Sequence, residues 1–160
     1  MTVTGGSNRR VSLAALIAVR PGQGPRLVYR TRRPGGQRKG FTEKDYARLL
    51  DAAHQQLGGP LVVVWDNLNT HASGVMAGLI AARPWLTVFR LPPYAPEFNP
   101  VEGIWSSLKR SLANLAKHTI GQLTALIKTR LRQMQYQAGL LDGYLAGTGL
   151  DLTPLRNPHH

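Results

Sequence analysis

The pattern of apolar and polar positions changes period several times along the chain. Residues 10–20 (RVSLAALIAVR) form an apolar-rich run closed by Pro-Gly-Gln-Gly-Pro. From Arg26 to Arg32 the chain then alternates, with Leu27, Tyr29 and Thr31 opposite Arg26, Val28, Arg30 and Arg32. A run, a turn rich in proline and glycine and an alternating run predict a β-hairpin, one face of which carries a row of arginines. Residues 33–40 (RPGGQRKG) are too poor in apolar side chains to pack and read as a basic loop. Thr42 and Asp45 are placed as an N-cap pair. Tyr46, Leu49, Leu50, Ala53 and Leu57 follow at helical spacing, and Gly58 marks the stop. Leu61 to Trp65 (LVVVW) is continuous and β-branched, the pattern of a strand buried on both faces, and it runs straight into Asp66-Asn67-Leu68-Asn69-Thr70-His71.

A short helix is predicted around residues 74–82 and a strand over 86–91, followed by the stiff stretch Pro92 to Pro100, which holds four prolines in nine residues. Asn99 is placed to cap the next helix, with Pro100 at its first position and Glu102 at its third, ahead of Ile104, Trp105, Leu108, Leu112 and Leu115. A further helix is predicted from Thr119 to about Tyr136, with Ile120, Leu123, Ile127, Leu131 and Met134 on one stripe. The glycine-rich stretch 138–160 reads as a weakly helical or poorly ordered tail. Strands alternating with helices predict an α/β sheet. The absence of a repeat or a composition break predicts one domain over 1–160.

Composition narrows the function classes. With 160 residues and 42% apolar content the chain can bury a core, which excludes intrinsic disorder as its main state. No apolar run approaches the ~18–20 residues that span a bilayer, and the N-terminus lacks the layout of a secretory signal, so the expectation is a cytoplasmic protein with no membrane partner. Zero cysteines exclude disulfide scaffolds, thiolate zinc sites and cysteine nucleophiles. Twenty Lys and Arg against eight Asp and Glu give a net charge of +12, which points to a polyanion, with nucleic acid first. Residues 1–40 carry nine of those basic side chains and no acid.

Two acids stand where chemistry is expected: Asp66 at the end of a buried strand, and Glu102 in the first turn of a helix entered through a proline-stiffened loop. Rigidly mounted carboxylates suit a hard cation such as Mg²⁺, which takes one or two of them and fills its other positions with water and phosphate oxygens. Each also has a purely structural reading, Asp66 as a turn cap and Glu102 as a partner of the helix dipole and of Asn99. On an α-helix Lys109 falls within ~20° of Glu102 and Ser106 within ~40°, so one face runs Glu102, Ser106, Lys109. That face suits either a phosphate or plain solvent. His71 is read either as orienting a water or phosphate oxygen or as a hydrogen-bonding member of its loop. Tyr94 and Phe98 are read as packing residues that brace the proline loop, with base stacking as the alternative, and His54 is read as a surface residue.

Taken together, Asp66-Asn67…His71, Pro92-Pro93-Tyr94-Ala95-Pro96-Glu97-Phe98-Asn99-Pro100-Val101-Glu102, Trp105 and Lys109-Arg110 resemble the signature of the DDE transposases of bacterial insertion sequences, in the Tc/mariner-type superfamily. Thirty-five residues separate Asp66 from Glu102, close to that family's spacing. The resemblance runs from about residue 10 to 150. It implies a ribonuclease-H-like mixed sheet flanked by helices, with Asp66 and Glu102 as the second and third members of a catalytic, metal-binding carboxylate triad. Asn67, His71 and Asn99 would be supporting residues. The implied cofactor is Mg²⁺, with Mn²⁺ as substitute, and the implied reaction is hydrolytic nicking at element ends followed by strand transfer. The implied partners are the insertion-sequence ends and target DNA, met at the bacterial nucleoid by Arg30, Arg32, Arg33, Arg38, Lys39, Lys109 and Arg110, with a homodimer as the assembly that pairs two ends.

The chain departs from the family at its start, because residues 1–42 contain no Asp or Glu. The triad's first member, the central strand that carries it and the family's DNA-reading helix-turn-helix domain are all unmatched. The expectation is an N-terminally truncated catalytic domain, inactive alone, for which an upstream transposase fragment supplies the strand and its Asp. The alternative is a DNA-binding remnant or regulator that does not cut. A basic RNA binder without catalytic ancestry is the third reading, and it gives no physical reason for the Pro-Tyr-Pro-Asn-Pro-Glu segment.

Overall fold

This computed structural model describes residues 2–5, 9–32, 40–66, 68, 70–112 and 120–149. The chain divides into two compact units, one made of Met1–Phe41 with Pro100–His160 and the other of Thr42–Asn99.

In the first unit the predicted hairpin forms from β2 (Arg9–Ala18) and β3 (Arg26–Arg32), and β1 (Thr2–Gly5) adds to the free side of β2, giving an antiparallel sheet in the order β1-β2-β3. The register pairs Ile17 with Leu27, Ala15 with Tyr29 and Leu13 with Thr31, which places these residues on one face. Val11, Leu13 and Leu27 from that face form one buried cluster with Ile104 and Leu108 of α3 (Val101–Leu112), with Leu123, Ile127, Leu131 and Met134 of α4 (Ile120–Gln135), and with Leu141 of α5 (Ala138–Gly147). Polar bonds fix α4 against β3: the Gln135 amide donates to the Leu27 carbonyl at 2.8 Å, and the Tyr29 hydroxyl to the Lys128 carbonyl at 3.4 Å.

Two features of this unit lie beyond local sequence pattern. Strand β1 holds one large apolar residue, Val3, so it has no period to read, and its place comes from pairing with residues 9–12 of β2. Helix α5 contains Gly139, Gly143 and Gly147, each of which costs about 1 kcal/mol relative to alanine inside a helix. Burial of Leu141 and Leu145 offsets this cost by ~1.5–3 kcal/mol per side chain.

The second unit begins with α1 (Glu43–Leu57), capped as predicted. The Asp45 N–H donates to the Thr42 hydroxyl oxygen at 3.4 Å, and the Thr42 N–H returns a 2.8 Å bond to the Asp45 carboxylate. Gly58, at φ 61°, takes the left-handed conformation that ends the helix. Strands β4 (Leu61–Trp65) and β5 (Leu86–Arg90) pair in parallel, linked by α2 (Gly74–Ala81), whose Ser73 hydroxyl caps the Met76 N–H at 3.1 Å. The Arg83 guanidinium grips the Asp51 carboxylate with two bonds of 2.7 and 2.9 Å, joining the end of α2 to α1 and holding that carboxyl below the usual carboxylate range.

Strand β4 corrects the expectation of two-sided burial. Val63 and Trp65 are buried, but Val62 and Val64 are 69% and 57% exposed, as is their neighbour Phe89 across the ladder at 58%. A run of β-branched residues reports strand propensity whichever face is covered, and here only one face of β4 is covered. The strand pairs with β5 and with no other described strand. His54 lies at the surface, its ring stacked on Trp85 at 3.9 Å and its Nδ1 2.8 Å from the Gly59 carbonyl.

Candidate active site

Asp66 is the first residue beyond β4, and the ladder closes at this end with the Leu91 N–H donating to the Trp65 carbonyl at 2.8 Å. The Asp66 carboxylate is held through a single oxygen. Its Oδ1 accepts the Leu68 N–H at 3.2 Å, an Asx-type turn, and lies 3.0 Å from His71 Nδ1. The turn-cap reading of Asp66 and its reading as a site residue therefore hold together, because the cap occupies one oxygen of two. The side chain remains 48% exposed.

His71 approaches from the inside. It is 8% exposed, stacks face to face on Trp65 with ring centroids 4.2 Å apart, and meets the Tyr46 ring edge-on at 4.6 Å. The His71 backbone N–H donates to the Leu68 carbonyl at 2.9 Å, which closes the loop after Asp66. The His71 hydrogen bond holds the Asp66 carboxyl below its ordinary range, against the upward push of partial burial. The Tyr46 hydroxyl is pushed up to about 12, first by burial and then by the Asp66 and Asp45 charges, so it stays a neutral phenol. Neither His71 Nε2 nor Trp65 Nε1 finds a hydrogen-bond partner among the described residues. Buried polar atoms left unpaired are uncommon and concentrate where function outweighs stability.

Glu102 stands on α3, which begins at Val101, one residue later than predicted. The Gly103 N–H bonds to the Pro100 carbonyl at 3.1 Å, so Pro100 precedes the first helical position instead of filling it, while Asn99 ends a 3-10 turn over Pro96–Phe98. Val101, Ile104 and Leu108 are buried, and Glu102, Ser106 and Lys109 are exposed, so the predicted polar face is real. Arg110 is exposed as well, and its guanidinium donates to the Ser107 hydroxyl at 3.3 Å.

The helix that carries Glu102 is braced by an element that sequence reasoning left out of the site. The Tyr144 ring of α5 lies directly over Gly103, where a Cβ would come within 2.7 Å of its Cγ, and the Tyr144 hydroxyl hydrogen-bonds Ser107. Gly103→Ala is therefore expected to destabilise the protein. The overlap costs about 1–3 kcal/mol, which exceeds the gain of about 1 kcal/mol in helix propensity. Urea unfolding of Gly103→Ala in the wild-type and Tyr144→Ala backgrounds tests this, since the penalty should vanish once the ring is gone.

Among the basic residues, Arg26 and Arg30 on β3 are exposed and Arg32 is half-buried. Arg33, Arg38, Lys39 and Asn67 lie outside the described residues. Tyr94 corrects another expectation. The residue is 101% exposed and its backbone sits at φ 60°, so it braces none of the described residues, while Phe98 is 47% exposed. A non-glycine residue at positive φ is strained, and prolines at 92, 93 and 96 restrict the backbone on both sides of it. No described helix is long and apolar enough to cross a membrane, and no group of three or more potential metal ligands occurs among the described residues.

Residues 5–127 match the family described as DDE superfamily endonuclease. The chain belongs to that family. The catalytic domain of the Mos1 mariner transposase, known from a crystal structure, superposes on this DDE chain with a TM-score of 0.60 at 13% identity, covering 94% of this chain and 80% of that one. The likeness establishes the fold, a mixed α/β arrangement of small sheets flanked by helices, in agreement with the ribonuclease-H-like expectation. No curated protein matches the sequence. In this DDE domain α5, with its Tyr144 brace, lies outside the matched span. Taken singly, each acid offers a hard oxygen donor of the kind a divalent ion accepts: Asp66 has a half-exposed carboxylate whose contacts among the described residues fall on Oδ1, and Glu102 has an exposed carboxylate.

Proposed function

We propose that the chain is the catalytic part of a transposase that cuts and joins DNA strands, with Asp66 and Glu102 as two of the carboxylates that hold Mg²⁺, or Mn²⁺ in its place. The observation that carries this reading is the state of Asp66 in a DDE-family chain. It sits at the end of a strand with one oxygen tied down and its side chain half exposed. The divalent ion supplies activation of a hydroxyl nucleophile and neutralisation of charge at the phosphodiester. The protein's share is positional. Asp66 and Glu102 offer oxygens fixed by β4 and α3, Lys109 stands on the Glu102 face to meet a phosphate oxygen, and Asn99 shapes the entry to α3.

Arg30, Arg32 and Arg110, together with Arg33, Arg38 and Lys39 of the loop, supply positive charge for the DNA backbone. The substrates are insertion-sequence ends and target DNA at the bacterial nucleoid, and a dimer pairs two ends. Because no acid occurs before Glu43, the third carboxylate comes from an upstream fragment that also adds a strand. Among the described residues β4 pairs with β5 alone, and its other edge supports this arrangement. With two carboxylates alone, binding of the ion is weak and the chain by itself does not cut.

A nicking assay on supercoiled DNA with Mg²⁺ or Mn²⁺ tests the proposal. The isolated chain is expected to give no nicking above background. With the upstream fragment added it should nick, and Asp66→Ala or Glu102→Ala should lower that rate at least 10³-fold, the scale on which loss of essential catalytic groups acts. Nicking unaffected by both substitutions would sink the assignment. No nicking under any condition, with DNA binding intact, would favour the second reading, a DNA-binding regulator, which the missing third acid supports.

A further inference from the structure

The two orphaned nitrogens beneath Asp66 need a physical account, and the histidine supplies one. His71 Nδ1 lies 3.0 Å from Asp66 Oδ1 and 3.3 Å from the Asp66 carbonyl oxygen, so two acceptors converge on it. Only a proton on Nδ1 makes these contacts favourable, because a lone pair there would face both oxygens. A second proton on Nε2 would then be a buried donor with no acceptor among the described residues, whereas an unpaired lone pair at that atom is the milder deficit. The geometry therefore places a donated proton on Nδ1. Stacking on Trp65 and the edge contact with Tyr46 fix the ring plane, so the bond to Oδ1 has one direction.

The Leu68 N–H bond at 3.2 Å and the His71 Nδ1 approach at 3.0 Å both fall on Oδ1 of the Asp66 side chain. We infer that His71 is a positioning residue that holds Asp66 Oδ1 from the inside and leaves Oδ2 as the single oxygen presented to a divalent cation. This rests on the proposed role of Asp66 as a metal ligand and adds how it binds, through one oxygen. Small octahedral cations suit that mode, since they take carboxylates one oxygen at a time and keep their waters. A residue that orients a ligand in this way typically changes metal affinity 10–100-fold when removed.

The test has two parts, both on the full chain. First, the nitrogen shifts of the His71 imidazole, read by ¹⁵N NMR without metal, should show a proton on Nδ1 and none on Nε2. The reverse tautomer overturns the inference and needs no variant to detect. Second, Mn²⁺ affinity is measured by water-proton relaxation for wild type, Asp66→Asn, His71→Phe and His71→Asn. Phenylalanine keeps the ring stack and loses the donor, so affinity should fall at least 10-fold. Asparagine loses the ring but places an amide N–H near the Nδ1 position, so the affinity loss should shrink to less than the ~10-fold that marks removal of an orienting partner. A purely structural role predicts the opposite order, and a folded His71→Phe that binds Mn²⁺ like wild type overturns the inference while leaving Asp66 as a ligand. If Asp66→Asn binds Mn²⁺ as wild type does, the ligand role of Asp66 is wrong and the positioning role falls with it, whatever tautomer the NMR shows.

Discussion

Replacing Ile104 by alanine is expected to lower the unfolding free energy by about 2–5 kcal/mol, a large share of the 5–15 kcal/mol that a domain commonly has. Ile104 is 0% exposed and lies in the cluster shared by β2, β3, α3, α4 and α5. Truncation removes three buried carbons and leaves a cavity that rigid neighbours such as Leu108 and Ile127 close only in part. The better helix propensity of alanine returns a few tenths of a kcal/mol, far too little to compensate. Ile104→Val should cost only about 0.5–1.5 kcal/mol, since one methylene is lost. Chemical denaturation of both variants gives the comparison, and a loss below 1 kcal/mol for alanine would mean that α3 is not seated as described. The seat matters for the site because Ile104 stands ~160° around the helix from Glu102, so the residue that anchors α3 is the one that turns Glu102 outward.

DNA affinity is expected to collapse with salt. Counterion release makes the logarithm of the binding constant fall by roughly 0.9 per phosphate neutralised for each tenfold rise in salt, so six contacts would lower affinity about 10³-fold between 50 and 200 mM. The net charge of +12 and the exposed Arg30, Lys109 and Arg110 provide the contacts. Arg30→Gln and Lys109→Gln should each reduce the slope by roughly 0.9, and should weaken binding equally on unrelated DNA sequences, because a phosphate contact carries no base information. Fluorescence anisotropy across a salt series reads both effects. A flat salt response would remove the electrostatic interface, and a sequence-selective loss would show that one of these residues reads bases.

Much of this was legible in the chain itself, for reasons that differ by element. The hairpin, α1 and α4 were readable because their signals are local: alternation on either side of a Pro-Gly turn, a Thr42–Asp45 capping box, and an apolar stripe from Leu123 to Met134. The exposed Glu102–Ser106–Lys109 face followed from helical period alone. Strand β1 and the firm packing of α5 were not readable, since neither has a local signal as strong as the long-range contacts that order it. The exposure of Val62 and Val64 was misread because β-branching says nothing about how many faces of a sheet are covered. The bracing reading of Tyr94 fails because its outward placement depends on a backbone angle that composition does not reveal.

For the candidate site the division is sharper. By itself the sequence determined which acids are available and how they are mounted. Asp66 had to end a strand and Glu102 had to open a helix, because the β-branched run and the proline-stiffened entry leave the backbone few alternatives there. It also determined that no acid precedes residue 43 and that the molecule carries a large positive charge. Only the tertiary structure decided that His71 turns inward between Trp65 and Tyr46 to take one oxygen of Asp66, and that Tyr144, from a helix beyond the family's matched span, presses on Gly103 beside Glu102. Local pattern sets which way a residue can face. Which neighbour waits on that side depends on contacts between segments far apart in the chain, and no window along the sequence contains them.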